Sequence, residues 1–207
     1  MKKKAQILYV HGAMTFKNRK DYIHYLKTRD ISTKKKRRWH QEDFDKQLGR
    51  YVDIIRPRMP LSENAKYADW KIHFERHIPH LRNGVILIGG SLGGIFLAKY
   101  LSEHRFPKKI GSVYLVCPPF DNSNSLPGED TVGGFTLKKD LSFLEKNARK
   151  LTLLFSKNDV IVPPIHAEKY ARKLKHANII VYKHINGHFQ IEKFPEIVRM
   201  IKEDLKK

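Results

Sequence analysis

Apolar residues along the chain fall into two spacings. Short runs rich in β-branched and aromatic side chains recur six times: Gln6 to Val10, Tyr51 to Ile55, Val85 to Ile88, Ser112 to Cys117, Leu151 to Phe155 and Ile179 to Tyr182. Each is bounded by Gly, Pro, Asn or polar clusters, the pattern of a short buried strand. Between the runs the spacing opens to helical periods. The segments Ala65 to Ile78, Leu92 to His104, Pro163 or Pro164 to Leu174, and Ile191 to Leu205 predict helices, with weaker ones at Asp21 to Lys27 and Glu42 to Leu48. Trp70, Phe74 and Ile78 stand four apart and so share one face, which assigns them to core packing.

Strands separated by helices or long crossovers predict an α/β protein with a mostly parallel six-stranded sheet and helices on both faces. The chain shows no internal repeat and no linker, and 207 residues suffice to bury a core, so one domain over residues 1–207 is expected. Two segments break the alternation. Residues 17–50 read as a basic insertion within the first crossover. Residues 120–136, rich in Asn, Ser, Gly and Asp and placed after a strand's carboxyl end, read as a lid or pocket wall.

Charge changes this picture in one place. The chain carries 41 Lys and Arg against 21 Asp and Glu, a net charge of +20. Most of the excess is scattered over predicted helix faces. From Lys17 to Arg38, however, ten cations (17, 19, 20, 27, 29 and 34–38) meet only Asp21 and Asp30. The run KKKRRW at 34–39 offers phosphate contacts and an aromatic, Trp39, that a base would stack on, while a solvated loop is the simpler expectation. Nonspecific nucleic-acid contact at low salt follows from the charge alone. Cys117 is the single cysteine, expected as a buried small apolar side chain rather than a nucleophile; without a partner in the chain it points to a reducing, cytoplasmic setting. The apolar stretch Ile7 to Val10 behind Lys2 to Lys4 is too short for a signal sequence, and no later run approaches a membrane span. Nothing in the pattern sets an oligomeric state.

Chemistry concentrates at GGSLGG, residues 89–94. Gly89, Ser91 and Gly93 form GxSxG between a strand and a helix, the sequence form of a nucleophile elbow. Glycines two residues to either side allow strand and helix backbones to approach, and the helix start directs N–H groups, that of Leu92 among them, at a developing oxyanion. The run is neither GxGxxG, since Ser91 replaces the second glycine, nor a P-loop, since Ile95 replaces the lysine. No cofactor is expected. A serine needs a base, and the base needs a carboxylate. Asp159 in SKNDVIVP follows the fifth strand and His188 in INGHF follows the sixth, so all three residues sit on one sheet edge in the order Ser, Asp, His. Asp121, after the fourth strand, is the competing carboxylate. His184 and His166 read as surface residues. His11 and Gly12 end the first strand, where His11 would order the loop and the N–H of Ala13, or else Met14, would join that of Leu92 at the oxyanion. Gly90, Met14, Phe120 and Phe189 complete the expected pocket. No Cys, His or carboxylate cluster has metal spacing.

On these residues the chain resembles the α/β-hydrolase superfamily, within it the small single-domain serine hydrolases of the retinoblastoma-binding-protein-9 and YdeN-like group. The resemblance rests on HGA at 11–13, Pro60 and Trp70, GGSLGG at 89–94, NDVIVP at 158–163 and GHF at 187–189. It implies strand order 2-1-3-4-5-6 and a carboxylesterase-type hydrolase acting on a small-molecule acyl substrate. For His188 as base, the unperturbed expectation is a pKa of about 6.5. Gly90 stands where the family more often has histidine, and the basic stretch at Lys34 to Arg38 belongs to no family pattern.

Overall fold

The computed structural model describes residues 4–34, 36–121 and 132–206. Six parallel strands, β1 (Ala5–Val10), β2 (Val52–Ile55), β3 (Val85–Gly90), β4 (Ile110–Val116), β5 (Leu151–Ser156) and β6 (Asn178–Tyr182), form one sheet in the order β2-β1-β3-β4-β5-β6. β3, buried at every position, lies between β1 and β4, with Val10 beside Gly89 and Gly90 beside Val116. A strand covered on both faces has no polar alternation, which is why VILIGG reads as one apolar run.

The chain leaves β1 in one direction to form β2, then crosses back and fills the sheet in the other direction from β3 to β6. Right-handed crossovers then put the connections on opposite faces. α1 (Arg19–Thr28) and α2 (Glu42–Leu48) lie between β1 and β2, and α2 contacts the last helix, α7 (Pro195–Asp204). On the other face α3 (Tyr67–His77) and α4 (Leu92–Glu103) meet through Phe74, Phe96 and Tyr100. α5 (Ser142–Asn147) packs on α4, and α6 (Ile165–Ala171) links β5 to β6. The reversal between β1 and β3 opens a crevice at their carboxyl ends, the place where such sheets take ligands.

Three local expectations change. α5 is absent from the apolar pattern because it is six residues long, with Leu144 its one buried residue. α7 starts at Pro195 rather than Ile191, since proline suits the first helical turn, where no N–H partner exists. Of the expected lid, residues 122–131 lie outside the described residues. The described part is anchored elsewhere: Gly133 accepts from the Tyr67 amide at 2.8 Å, and Phe135 is buried against Tyr67 and Trp70. No described helix is long and apolar enough to cross a membrane.

Candidate active site

Ser91 sits between β3 and α4 with φ +51° and ψ −120°, a region that costs an L-residue about 1–3 kcal/mol. Its surroundings hold it there. The Ser91 N–H donates to the Val116 carbonyl at 2.8 Å, and its own carbonyl accepts from Gly94 at 2.8 Å. A Cβ at Gly89 would collide with the Gly93 carbonyl, and one at Gly93 with the carbonyls of Val10 and His11. The two glycines of GxSxG are therefore the contact between β3, α4 and β1. Gly12 covers the serine from β1, where an added Cβ would lie 3.2 Å from Ser91 Cβ.

The loops after β5 and β6 bring Asp159 and His188 together. Asp159 is buried, and its Oδ1 accepts from the amides of Ile161 and Val162 at 2.9 Å each. That turn leaves Oδ2 for His188 Nδ1, 2.8 Å away. Asn158, which sequence reasoning passed over, braces the two loops: Oδ1 accepts from Gly187 N–H at 3.0 Å and Nδ2 donates to Asn186 at 2.9 Å. With Nδ1 engaged, Nε2 is the nitrogen of His188 left for a reactant. It now faces Cys117 Sγ at 3.7 Å. Burial opposes the imidazolium, but the Cys117 sulfur and the hydrogen-bonded Asp159 carboxylate favour it, and the balance lies well above the ordinary histidine pKa of 6.5. The expectation of an unshifted histidine is corrected accordingly.

Cys117, Asp159 and His188 place one donor atom each within 4.8 Å of one another. The His188 ring stands between the other two, with Asp159 at Nδ1 and Cys117 at Nε2 on opposite sides of it. Cys117 is buried as expected, yet it is also a wall of the cleft, its backbone turned to φ +42° just after β4 ends.

The first loop is fixed by His11. Its Nε2 accepts from Met59 N–H at 3.0 Å, so Nδ1 carries the proton and donates to the Gly12 carbonyl at 2.7 Å. Trp70, edge-on to His11, donates to the Pro60 carbonyl at 2.7 Å, which accounts for the Pro60 and Trp70 pair seen in the sequence. The Met14 N–H is spent on the Ser62 carbonyl at 2.9 Å, which leaves Ala13 of the two amides expected from this loop. Gly90 has a local reason too. A Cβ there would come within 2.9 Å of the Tyr9 hydroxyl, which occupies the place a larger side chain would take.

A cleft of about 600 Å³ gathers His11, Gly12, Ala13, Met14, Gly90, Ser91, Leu92, His188 and Phe189 around its floor. Phe120 is not among them: its amide donates to His166 Nδ1 at 3.0 Å and its ring packs edge-on against Tyr170. His166 is fully buried rather than on the surface, because α6 turns it inward onto that amide. Asp121 does not compete for His188, since Lys169 holds both its oxygens at 2.7 and 2.9 Å. His184 is exposed beside Glu196, as expected. Trp39 cannot stack on a base. It is buried among Tyr9, Phe44 and Phe194, since an indole on the face between α2 and α7 gains far more from burial than from solvent. Sequence reasoning missed Tyr9, Arg38 and His40 as cleft walls. Burial, with Arg56 and Arg38 adding to it, pushes His40 down to about 4, so this ring is neutral at pH 7.

Comparison with known proteins accords with this geometry. No curated protein sequence matches the chain. In solved structures it is similar to the ydeN gene product of B. subtilis, with a TM-score of 0.74 and 21% identity over 99% of this chain and 100% of that one. One of the metagenome-derived lipolytic enzymes LipS and LipT matches at a TM-score of 0.63 and 11% identity, over 98% and 94% of the two chains. The pyrethroid hydrolase PytH matches at 0.58 and 10%, over 99% and 98%. These likenesses carry the α/β-hydrolase fold. The family model described as Serine hydrolase matches residues 32–203, a stretch that includes Ser91, Asp159 and His188, and the chain belongs to that serine hydrolase family.

Proposed function

We propose that this enzyme hydrolyses small acyl esters, with Ser91 as nucleophile, His188 as base through Nε2, and Asp159 as the group that orients His188. The observation that carries the reading is the buried 2.8 Å pair of Asp159 and His188, standing in the same cleft as a serine on a strained turn. Ser91 Oγ loses its proton to His188 as it attacks the acyl carbonyl, and His188 then protonates the leaving alcohol. A water, deprotonated by the same nitrogen, releases the acid and restores Ser91.

The oxyanion would be met by the amides of Leu92 and Ala13. Leu92 opens α4, where N–H groups lack partners within the helix. For Ala13 the support is the His11 clamp: in a trans peptide the Gly12 carbonyl and the Ala13 N–H point in opposite directions, so holding the one away aims the other. A cleft of about 600 Å³ supports a small-molecule substrate. The second reading, a silent scaffold that binds nucleic acid through its basic segment, loses its aromatic contact to the burial of Trp39.

The test is intact-mass detection of a fluorophosphonate adduct with peptide mapping, beside turnover of a short para-nitrophenyl ester. The expected result is one adduct, on Ser91, and loss of both adduct and turnover in Ser91→Ala. Unchanged turnover in that variant overturns the assignment.

A further inference from the structure

The cleft has a charge that hydrolysis itself does not call on. Among its described lining residues Arg38 is the one bearing a permanent charge, and no Asp, Glu or Lys accompanies it. Arg38 comes from the basic run between α1 and α2, whose other described members, Lys34, Lys36 and Arg37, are exposed. Trp39 makes the difference. Its ring is sunk among Tyr9, Phe44 and Phe194, and its backbone N–H donates to the Ile191 carbonyl at 2.8 Å. Gln41 closes the turn, its N–H donating to the Arg38 carbonyl at 3.0 Å and its Oε1 accepting from the Arg38 amide at 3.3 Å. The backbone of Arg38 is thus pinned at the cleft wall, a single residue from a buried anchor.

Its guanidinium is unspent. Of the arginines nearby, Arg29 meets Glu63 and Arg56 meets Asp45. Arg38 makes no ion pair among the described residues, yet its charge reaches both Tyr9 and His40, the two stacked rings of the wall. Tyr9 adds a hydroxyl that hydrogen-bonds to no described residue and stands against Gly90, one position from the elbow serine. On its other side Arg38 borders a smaller groove that holds Glu42, Asp43 and Glu192, but the cleft itself holds no acid, and a guanidinium and a phenol lining one acid-free cavity form a receptor for an anionic oxygen group.

Resting on the ester-hydrolase reading above, we propose that the substrates of this cleft are acyl esters that carry a carboxylate or phosphate group, and that Arg38, delivered by the basic crossover, selects them. The crossover is then part of the binding site and not a solvated insertion. The negative group can belong to the acyl half or to the alcohol half, since both leave the same cleft.

Two ester pairs of matched shape test this: para-nitrophenyl adipate against para-nitrophenyl hexanoate, and the butyrate ester of para-hydroxybenzoate against that of its methyl ester. The readout is the ratio of kcat/KM, anionic over neutral, after subtraction of spontaneous hydrolysis. At least one pair should favour the anion, and Arg38→Gln should lower that ratio by about 10- to 100-fold, chiefly through KM, with Arg38→Lys in between. Arg37→Gln, one residue away but outside the cleft, separates direct contact from attraction by the +20 charge, and should change the ratio less than about twofold. A ratio near one in both pairs, or equal loss in Arg37→Gln and Arg38→Gln, overturns the proposal while leaving ester hydrolysis in place. Failure of every ester with no adduct on Ser91 instead overturns the reading beneath it.

Discussion

The turn after β3 and the crossover after β1 face one cleft and are held there by opposite means. The turn is locked by side chains that are missing: Gly89 and Gly93 let β3, α4 and β1 touch, and this contact keeps Ser91 at a positive φ. The crossover is held by one side chain that is large. Trp39 plugs the face between α2 and α7, and the chain leading to it follows, exposed at Lys36 and Arg37 and lining the cleft at Arg38. A backbone lock leaves a motif in the sequence, because only glycine satisfies it. A packing lock leaves a tryptophan that looks like any other.

The largest effect that would break this comparison belongs to the side of the turn. Asp159→Asn should lower kcat by about 10⁴, the loss known for a triad histidine held in the wrong tautomer, while Asp121→Asn stays within about twofold. Steady-state kinetics with a neutral ester decide it, and the reverse result would move the carboxylate to the loop after β4. On the side of the crossover, Trp39→Ala should destabilise the fold by about 3–5 kcal/mol in chemical denaturation, as for other buried aromatic truncations. A loss under about 1 kcal/mol would mean that the crossover is not anchored by this ring.

The pH profile sharpens the turn further. In the proposed mechanism the active form of His188 is neutral, and its pKa is raised, so kcat/KM should climb with pH through a midpoint above the ordinary value of about 6.5. Asp159→Asn should move that midpoint down, since it removes a carboxylate that favours the charged ring. Because the folded state holds this proton more tightly than the unfolded chain, its share of stability is present at low pH and lost as pH rises through the same midpoint. A midpoint at or below about 6.5 contradicts the described environment.

The smallest effect concerns the remaining cations of the crossover. With Arg38 turned to the cleft, residues 34–37 leave four charges for phosphate. Duplex DNA binding at low salt should weaken with a log–log slope no steeper than about −4, at about −0.9 per contact. Neutralising Lys34, Lys36 and Arg37 should remove most of it without altering ester turnover. A sequence-selective complex at physiological salt would restore the nucleic-acid reading.

Much of the site was legible because each residue follows a strand, and strands buried on both faces are apolar runs with sharp ends. Ser91, Asp159 and His188 could be assigned to one sheet edge from those ends alone. Cys117 was read correctly as buried and its nearness to His188 Nε2 was not visible, because that distance is set between loops 71 residues apart. Phe120 was misplaced for a related reason. Following a strand brings a residue to the right edge, but the direction of its ring was decided by His166 and Tyr170 on α6.

By itself the sequence determined the strand count, the glycine-flanked turn at Ser91 and the place of Asp159 and His188 in loops after later strands, since these depend on local spacing and on the intolerance of close backbone contacts for a Cβ. Tertiary structure alone decided that, among the described cations Lys34, Lys36, Arg37 and Arg38, it is Arg38 that is a cleft wall. Charge in a loop carries no record of direction; Trp39 supplies it, through burial against Tyr9 on β1, Phe44 on α2 and Phe194 at the start of α7, residues that no short window of the chain contains together.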